Sequence, residues 1–301
     1  MAPIQLSENF RAFFYTPFYA AHARDAYAAE GVEVELLESP DPLHSSSALS
    51  AGRLDVAWGG PYRVIVERAR RPDSDLISFC NVVERDPFFV VGRTPKPDFE
   101  LPDLATCAFG SVSEVPTPWV CLQDDLRRAG VDPEALNRIT DASMASNVEA
   151  LAAGRLDAVQ VFQPHAEALV DSGAGHIWHA AATRGLTAYT TLNTRQSVIA
   201  ERAPELTAMA RAIARTLEWV GGAAAEEIAA TVAPFFPDIP HNRAARAIER
   251  YRGLGLWSRS PIIPQEGFER LAAAMLSAGT IKALPKWSDC VDVSIATTAA
   301  Q

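Results

Sequence analysis

SALSAGRLDVAWGG (Ser47–Gly60) and EALAAGRLDAVQVF (Glu149–Phe162) write one pattern twice, AL-x-AGRLD followed by an apolar run. In each copy an Ala/Leu helical segment meets a glycine, Gly52 or Gly154, followed by Arg, Leu, Asp and apolar residues. That order predicts a helix, a glycine stop and a short buried strand. Asp55 and Asp157 stand 102 positions apart, well beyond the roughly 20–50-residue period of a solenoid. Two copies at that spacing fit two lobes of one protein, each built from βα units.

The surroundings of each copy repeat the alternation. A strand at Ile4–Leu6 is followed by a helix in TPFYAAHARDAYAAEG, with Thr16 expected as its N-cap and Pro17 at the first helical position. VEVELLES alternates like a strand, the loop SPDPLHSS leads to the first copy, and the turn Gly59-Gly60-Pro61 opens the helix YRVIVERARR. DLISFCNVV and PFFVVGR read as apolar strands, and Pro95, Pro97 and Pro102 in TPKPDFELPDL predict a connection between lobes. ATCAFGS, PTPWVCLQDDLRRAG and a strand near 137–140 precede the second copy. QPHAEALVDSG, IWHAA and YTTLNT follow it, and helices finish the chain. Strands alternating with helices predict an α/β fold with mainly parallel sheets.

A chain of 301 residues, 48% hydrophobic and 21% charged, has material for two domains with a sizeable core. A net charge of −10 with scattered basic residues argues against a nucleic-acid partner. No stretch approaches the ~18 apolar residues of a membrane helix, so no membrane insertion is expected. Cys80, Cys107, Cys121 and Cys290 have no CxxC spacing, and three of them lie in apolar runs, which predicts buried free thiols. The opening MAPIQLSENF has neither a basic n-region nor an apolar h-region. It predicts a cytoplasmic protein if Met1 is the native start, and a periplasmic or extracellular one if an export signal has been removed.

In parallel sheets ligands sit beyond the carboxyl ends of the strands, against helix N-termini. Four loops hold that position: Tyr15-Thr16-Pro17-Phe18, Trp58-Gly59-Gly60, Gly110 to Glu114 with Ser111 and Ser113, and Gln160 to Gln163 with Phe162. They combine aromatic faces, small residues and neutral hydrogen-bonding groups, the lining of a small-molecule cleft. Tyr189 joins this set as a ring, and Arg85 and Arg63 as cationic donors for an acidic ligand. The Ser111–Glu114 loop is the strongest candidate, since its polar residues have no evident packing role. The six histidines show no metal-ligand spacing, and GxSxG, Walker A and GxGxxG are absent. No catalytic residue, metal or cofactor is expected; Glu114 and His165 are the nearest to a general base.

YTPFYAAHARDAYAAEGVEVELLES, ALSAGRLDVAWGG, PFFVVGR, EALAAGRLDAVQVFQP and RQSVIAERAPELTAMARAIARTLEWV together resemble, in order and spacing, the NMT1/THI5-like and alkanesulfonate-type substrate-binding proteins. The resemblance covers roughly residues 4–220. It implies the periplasmic-binding-protein type II fold, with 1–92 and 194–301 in one lobe, 93–193 in the other, and hinges near Val91–Arg93 and Thr191–Asn193. It implies a receptor that captures a thiamine-type pyrimidine, a sulfonate or an aromatic acid and hands it to an ABC transporter permease.

The same scaffold carries enzymes, so the alternative is a cytoplasmic enzyme acting in thiamine-pyrimidine biosynthesis or in the metabolism of aromatic or sulfur compounds. In the similar pyrimidine synthases a pyridoxal-binding lysine and a substrate histidine follow the strand equivalent to DVAW. Gly59 and Arg63 stand at those places here, and LTAYTTLNT (Leu186–Thr194) lacks their cysteine-rich motif. The desulfinase-type enzymes call for a nucleophilic cysteine in the first strand-end loop, and Tyr15–Phe18 contains none.

Overall fold

The computed structural model describes residues 2–39 and 44–301. The middle of the SPDPLHSS loop, residues 40–43, lies outside them. Ten strands form two five-stranded sheets: β1 (Ile4–Ser7), β2 (Val34–Leu37), β3 (Val56–Gly59) and β4 (Leu76–Val83) in the first, then β5 (Phe89–Gly92), β6 (Phe109–Gly110), β7 (Arg138–Ile139), β8 (Ala158–Val161) and β9 (His176–Ala180) in the second, with β10 (Thr190–Arg195) returning to the first. The orders are β2-β1-β3-β10-β4 and β7-β6-β8-β5-β9.

The two sheets share one plan. Three parallel strands are followed by one that runs antiparallel to both of its neighbours, β10 in the first sheet and β5 in the second. Each antiparallel strand arrives from the other lobe. The chain therefore passes between sheets at 84–88 and 181–189, a few residues before the boundaries expected at 92/93 and 193/194. Phe89–Gly92 is drawn into the second sheet because its apolar residues pair with β8 on one side and β9 on the other. The proline-rich stretch after it consequently connects β5 to β6 within the second lobe.

The repeated motif performs the same local task in both lobes. Gly52 and Gly154 take φ of +72° and +73°, and each helix closes with paired backbone bonds, Gly52 N to Leu49 O with Arg53 N to Ala48 O, and Gly154 N to Leu151 O with Arg155 N to Ala150 O. Glycine enters that left-handed conformation without a Cβ penalty. The buried leucine, Leu54 or Leu156, anchors the turn. The aspartate then accepts from a neighbouring segment: Gln5 N to Asp55 Oδ2 at 3.0 Å, and Ala108 N to Asp157 Oδ2 at 2.9 Å. One carboxylate thus fixes where β1, or the segment entering β6, starts relative to the strand after the motif.

The passages between lobes lie side by side. Ala181 N donates to Phe88 O (2.9 Å), Thr187 N to Glu84 O (2.8 Å) and Tyr189 N to Val83 O (3.0 Å). Arg184 binds Asp86 at 2.8 Å and Asp125 of the helix Thr117–Arg128, and all three side chains are buried or nearly so. A second tie joins the helix His241–Gly253 to the second lobe: Arg250 pairs with the buried Glu167, Arg243 with Asp171, and Tyr251 Oη accepts from Gln163 N and donates to Pro87 O. One apolar cluster runs through both lobes, which are closed on each other.

Candidate functional site

The interlobe surface is built from the ends of β1 and β3, the first turns of two helices, and both passages. After β1 come Asn9, Phe10, Phe14 and Tyr15; after β3 come Gly60, Tyr62 and Arg63 at the start of the helix Pro61–Arg70. Opposite stand Val115, Pro116 and Thr117, where the helix Thr117–Arg128 begins, and Phe88 and Tyr189 close the back from the two passages. Together these line a cavity of about 30 Å³. That is room for a few waters at most. The rings are in contact across the lobes: Phe162, which follows β8, stands edge-on to Phe14 (5.4 Å) and Phe88 (5.3 Å) and 5.9 Å from Phe10. A ligand enters only when the lobes part or the rings turn.

Two of the lining polar groups are unsatisfied. Asn9 Nδ2 donates to Tyr15 Oη at 3.1 Å, whereas Asn9 Oδ1 and Tyr189 Oη are buried without a partner. Each orphan of this kind costs about 1–3 kcal/mol, a cost that a ligand removes. Burial pushes both phenols, Tyr15 and Tyr189, far up from their ordinary value, so they stay protonated and able to donate. The Arg63 charge acts on Tyr15, and the first turns of the Pro61 and Thr117 helices leave N–H groups without intrahelical acceptors. Aromatic walls, a guanidinium and two helix N-termini thus meet at this cavity.

Of the residues singled out from sequence, Tyr15, Gly60, Arg63 and Tyr189 line this cavity. Phe162 bridges the lobes beside it. The others do not line it. Thr16 Oγ1 donates to Phe13 O at 2.6 Å, and the helix starts at Thr16 with Tyr15 in the cap position, so the expected threonine N-cap is not formed. Phe18 stacks on Trp58 (4.6 Å, 9°) in the core of the first lobe. The Gly59 carbonyl accepts from Thr191 and Asn193 within the sheet. Arg85 Nη1 donates to Ala182 O, joining the two passages.

The Ser111–Glu114 loop spends its polar groups on its own lobe. Ser111 is fully buried and accepts from Arg138, and its carbonyl accepts from Asn147. Ser113 Oγ donates to Ala142 O, and Glu114 Oε1 accepts from Met144 N at 2.7 Å, capping the helix Met144–Ala152. Gln160 Nε2 donates to Pro118 O, and Gln163 bonds Glu167. The polar residues do have a packing role: they hold one helix start and one strand pair.

Asn9, Phe10, Phe14, Phe88 and Thr117 were not anticipated. Asn9 was within reach of the strand-end rule, since it follows β1 closely; a short helical turn at Phe13–Tyr15 brings a second set of rings over the same spot. Arg63 stands out in the sequence only as a cationic donor, and Val115 and Pro116 sit one step beyond the Gly110–Glu114 loop.

Covalent chemistry finds no support in these walls. Cys80, Cys107, Cys121 and Cys290 are buried elsewhere, and burial raises each thiol, Cys121 to about 12 and Cys290 to about 11, the opposite of an activated nucleophile. A pyridoxal group needs a lysine, and the chain's lysines, Lys96, Lys282 and Lys286, are not among the residues lining the cavity. The residues present do not fit that cofactor. Among the described residues no helix is long and apolar enough to cross a membrane.

The profile of the NMT1-like family matches residues 10–233. A Bacillus subtilis (strain 168) protein named "Putative binding protein YtlA" is 23% identical over 298 residues, spanning 98% of this chain and 89% of its own. The periplasmic aliphatic sulphonate binding protein SsuA of Escherichia coli superposes with a TM-score of 0.75 at 15% identity, over 95% of this chain and 91% of its own. A DszB variant in complex with biphenyl-2-sulfinic acid superposes with a TM-score of 0.73 at 11% identity, over 99% of both chains. These likenesses establish the two-lobed fold.

Proposed function

The chain belongs to the NMT1-like family, and on that premise we propose that it is the substrate-binding receptor of an ABC importer, taking a small organic anion with an aromatic or heteroaromatic ring between its lobes. The observation that carries this reading is the cleft itself, where an aromatic box meets Arg63, two helix N-termini and the unpartnered Asn9 Oδ1 and Tyr189 Oη. The sulphonate-binding and sulfinate-bound proteins of the same fold support the anionic class. A thiamine-type pyrimidine bearing an acidic group belongs to the same class of ring. The lobes open about 84–88 and 181–189 and close on the ligand, driven by contacts that only the closed form makes. Such a receptor works outside the cytoplasmic membrane, and its partner is the transporter permease.

Native mass spectrometry of the purified protein, followed by denaturation, tests the reading. The expected result is a copurified aromatic acid or sulfonate released unchanged. Recovery of a pyridoxal adduct, of iron, or of a chemically converted ligand would establish the enzyme instead. Tyr189→Phe and Asn9→Ala are each expected to weaken binding of that ligand about tenfold, the scale of one lost hydrogen bond to a charged group. Fractionation of cells expressing the native gene checks the location: protein confined to the cytosol would refute a receptor role.

A further inference from the structure

We propose that the first lobe carries a second binding site, outside the cleft, for a small doubly charged oxyanion of the dicarboxylate or phosphate-monoester type. Its centre is Arg68, near the end of the helix Pro61–Arg70. Nη1 of that guanidinium donates to Pro72 O at 3.2 Å, whereas Nε and Nη2 are buried with no hydrogen-bond partner. Those two N–H groups are the edge of the guanidinium that takes both oxygens of a carboxylate or phosphate at once. Arg184 and Arg202 of the same chain use that pair of atoms to hold Asp125 and Glu205. On Arg68 the pair holds nothing. Buried polar groups are nearly always paired, and an unpaired charge is the most costly exception.

Arg68 lines a groove of about 490 Å³, which falls within the roughly 300–1,000 Å³ of small-molecule sites. The groove runs between the helix Pro61–Arg70 and the segment 280–289, and its other charged residues are Arg70, Lys282 and Asp289. Three cations against one carboxylate leave a surplus of two positive charges, in a chain whose net charge is −10. Asp289 is not bonded to the Arg68 edge. A second donor without an acceptor belongs to the same contact: Trp287 Nε1 is buried and unpartnered, in the helix Trp287–Cys290 that packs against Pro61–Arg70. The Arg68 charge reaches Cys290, one turn after Trp287, where it opposes the upward push of burial on the thiol. Two charges and several acceptor oxygens on one small molecule answer both the surplus and the idle donors.

Scanning calorimetry and isothermal titration of the full chain with succinate, glycerol phosphate and acetate, against chloride at matched ionic strength, test this. A dianion at ten times its Kd should raise the Tm of a chain this long by about 2 °C. Acetate should bind at least about tenfold more weakly, as one of two charge contacts is lost, and the better dianion separates carboxylate from phosphate. Arg68→Met removes the unpaired charge, so without anion its Tm should equal or exceed that of the parent, and the anion-induced rise should vanish. Ala283→Glu, an acid on the exposed groove wall, should weaken the dianion about tenfold without disturbing the core. No rise beyond the chloride control, binding that survives both variants, or acetate binding as tightly as succinate would overturn the proposal. None of these outcomes involves the cleft, so the receptor reading stands or falls separately.

Discussion

Replacing Arg184 by Met tests the joint between the lobes. Arg184 reaches Asp86 at 2.8 Å and Asp125 of the second lobe, and the Asp86 side chain has no solvent exposure at all. Methionine keeps much of the arginine stem's volume and removes the charge. Asp86 Oδ1 keeps its bond from Phe88 N at 3.0 Å, but Oδ2 loses the guanidinium and the carboxylate is left as an uncompensated buried charge. Breaking a buried pair from one side costs about 3–5 kcal/mol. That is a large share of a total stability of about 5–15 kcal/mol. With an unfolding entropy near 2.1 cal/mol/K per residue, about 4 kcal/mol lowers the Tm of a chain this long by about 6 °C.

Urea unfolding and differential scanning calorimetry, each at several pH values, read the result. Burial pushes the Asp86 carboxyl above its ordinary value, and Arg184 pulls it back down. In the variant the bond from Phe88 N still lowers it, but the upward push of burial is no longer opposed by the guanidinium. An acid whose folded pKa lies above its unfolded one stabilises the fold at pH below the unfolded value and loses that contribution as pH rises through the folded value. The Arg184→Met deficit should therefore be larger at pH 8 than at pH 5, and adding Asp86→Asn should recover much of it at pH 8. A loss below about 1 kcal/mol, or a deficit equal at both pH values and unrelieved by the second substitution, would refute the argument.

Three further outcomes follow from the geometry. Gly110→Ala places a Cβ 2.8 Å from Asn147 and from Leu156, so overpacking should cost about 1–3 kcal/mol in urea unfolding and disturb the strand that leads to the cleft. Burial lowers His165, with Glu114 opposing, and lowers His179; a group depressed in the fold loses its contribution as pH falls, so stability should decline below about pH 6.5 and His165→Gln should flatten that slope. Asp55→Ala should destabilise more than Asp157→Ala, about 2 against about 1 kcal/mol, because Asp55 holds both Gln5 N and Arg202 whereas Asp157 is more exposed and its contact with Arg93 is 3.5 Å. Equal losses would show that the two motifs act through the glycine turn alone.

The architecture was legible because its signals are local. Gly52 and Gly154 mark left-handed helix ends, and the apolar runs after Asp55 and Asp157 are fully buried strands. The lobe boundary was less legible. Phe89–Gly92 reads as an apolar strand whichever sheet it joins, and only its pairing with β8 and β9 decides the matter. The site was legible as a place more than as a set of residues. Strand ends do converge on the cleft, but which side chain faces it depends on turns such as Phe13–Tyr15. Polarity misled at Ser111–Glu114, since a loop between a strand and a helix needs hydrogen-bonding side chains to hold its own backbone whether or not a ligand is near.

The repeat also bears on how the lobes move. In both copies the aspartate clamps the strand after the motif to a neighbouring segment of its own lobe, so each parallel core is tied internally before any contact crosses the cleft. The contacts that cross include ring against ring at Phe162, ion pairs at Arg184, Arg243, Arg246 and Arg250, a bond from Arg127 to Ser277, and the hydroxyl of Tyr251. The Arg184 and Tyr251 contacts lie at the passages, where a rotation changes distances least, whereas the Phe162 rings lie across the ligand space. The proposed opening would therefore separate apolar rings and leave these bonds at the passages in place. On the proposed function, a ligand ring that took over the contacts of Phe162 with Phe10 and Phe14 would bury apolar surface again on closure, so the rings that meet across the cleft are the reason an aromatic ligand is proposed.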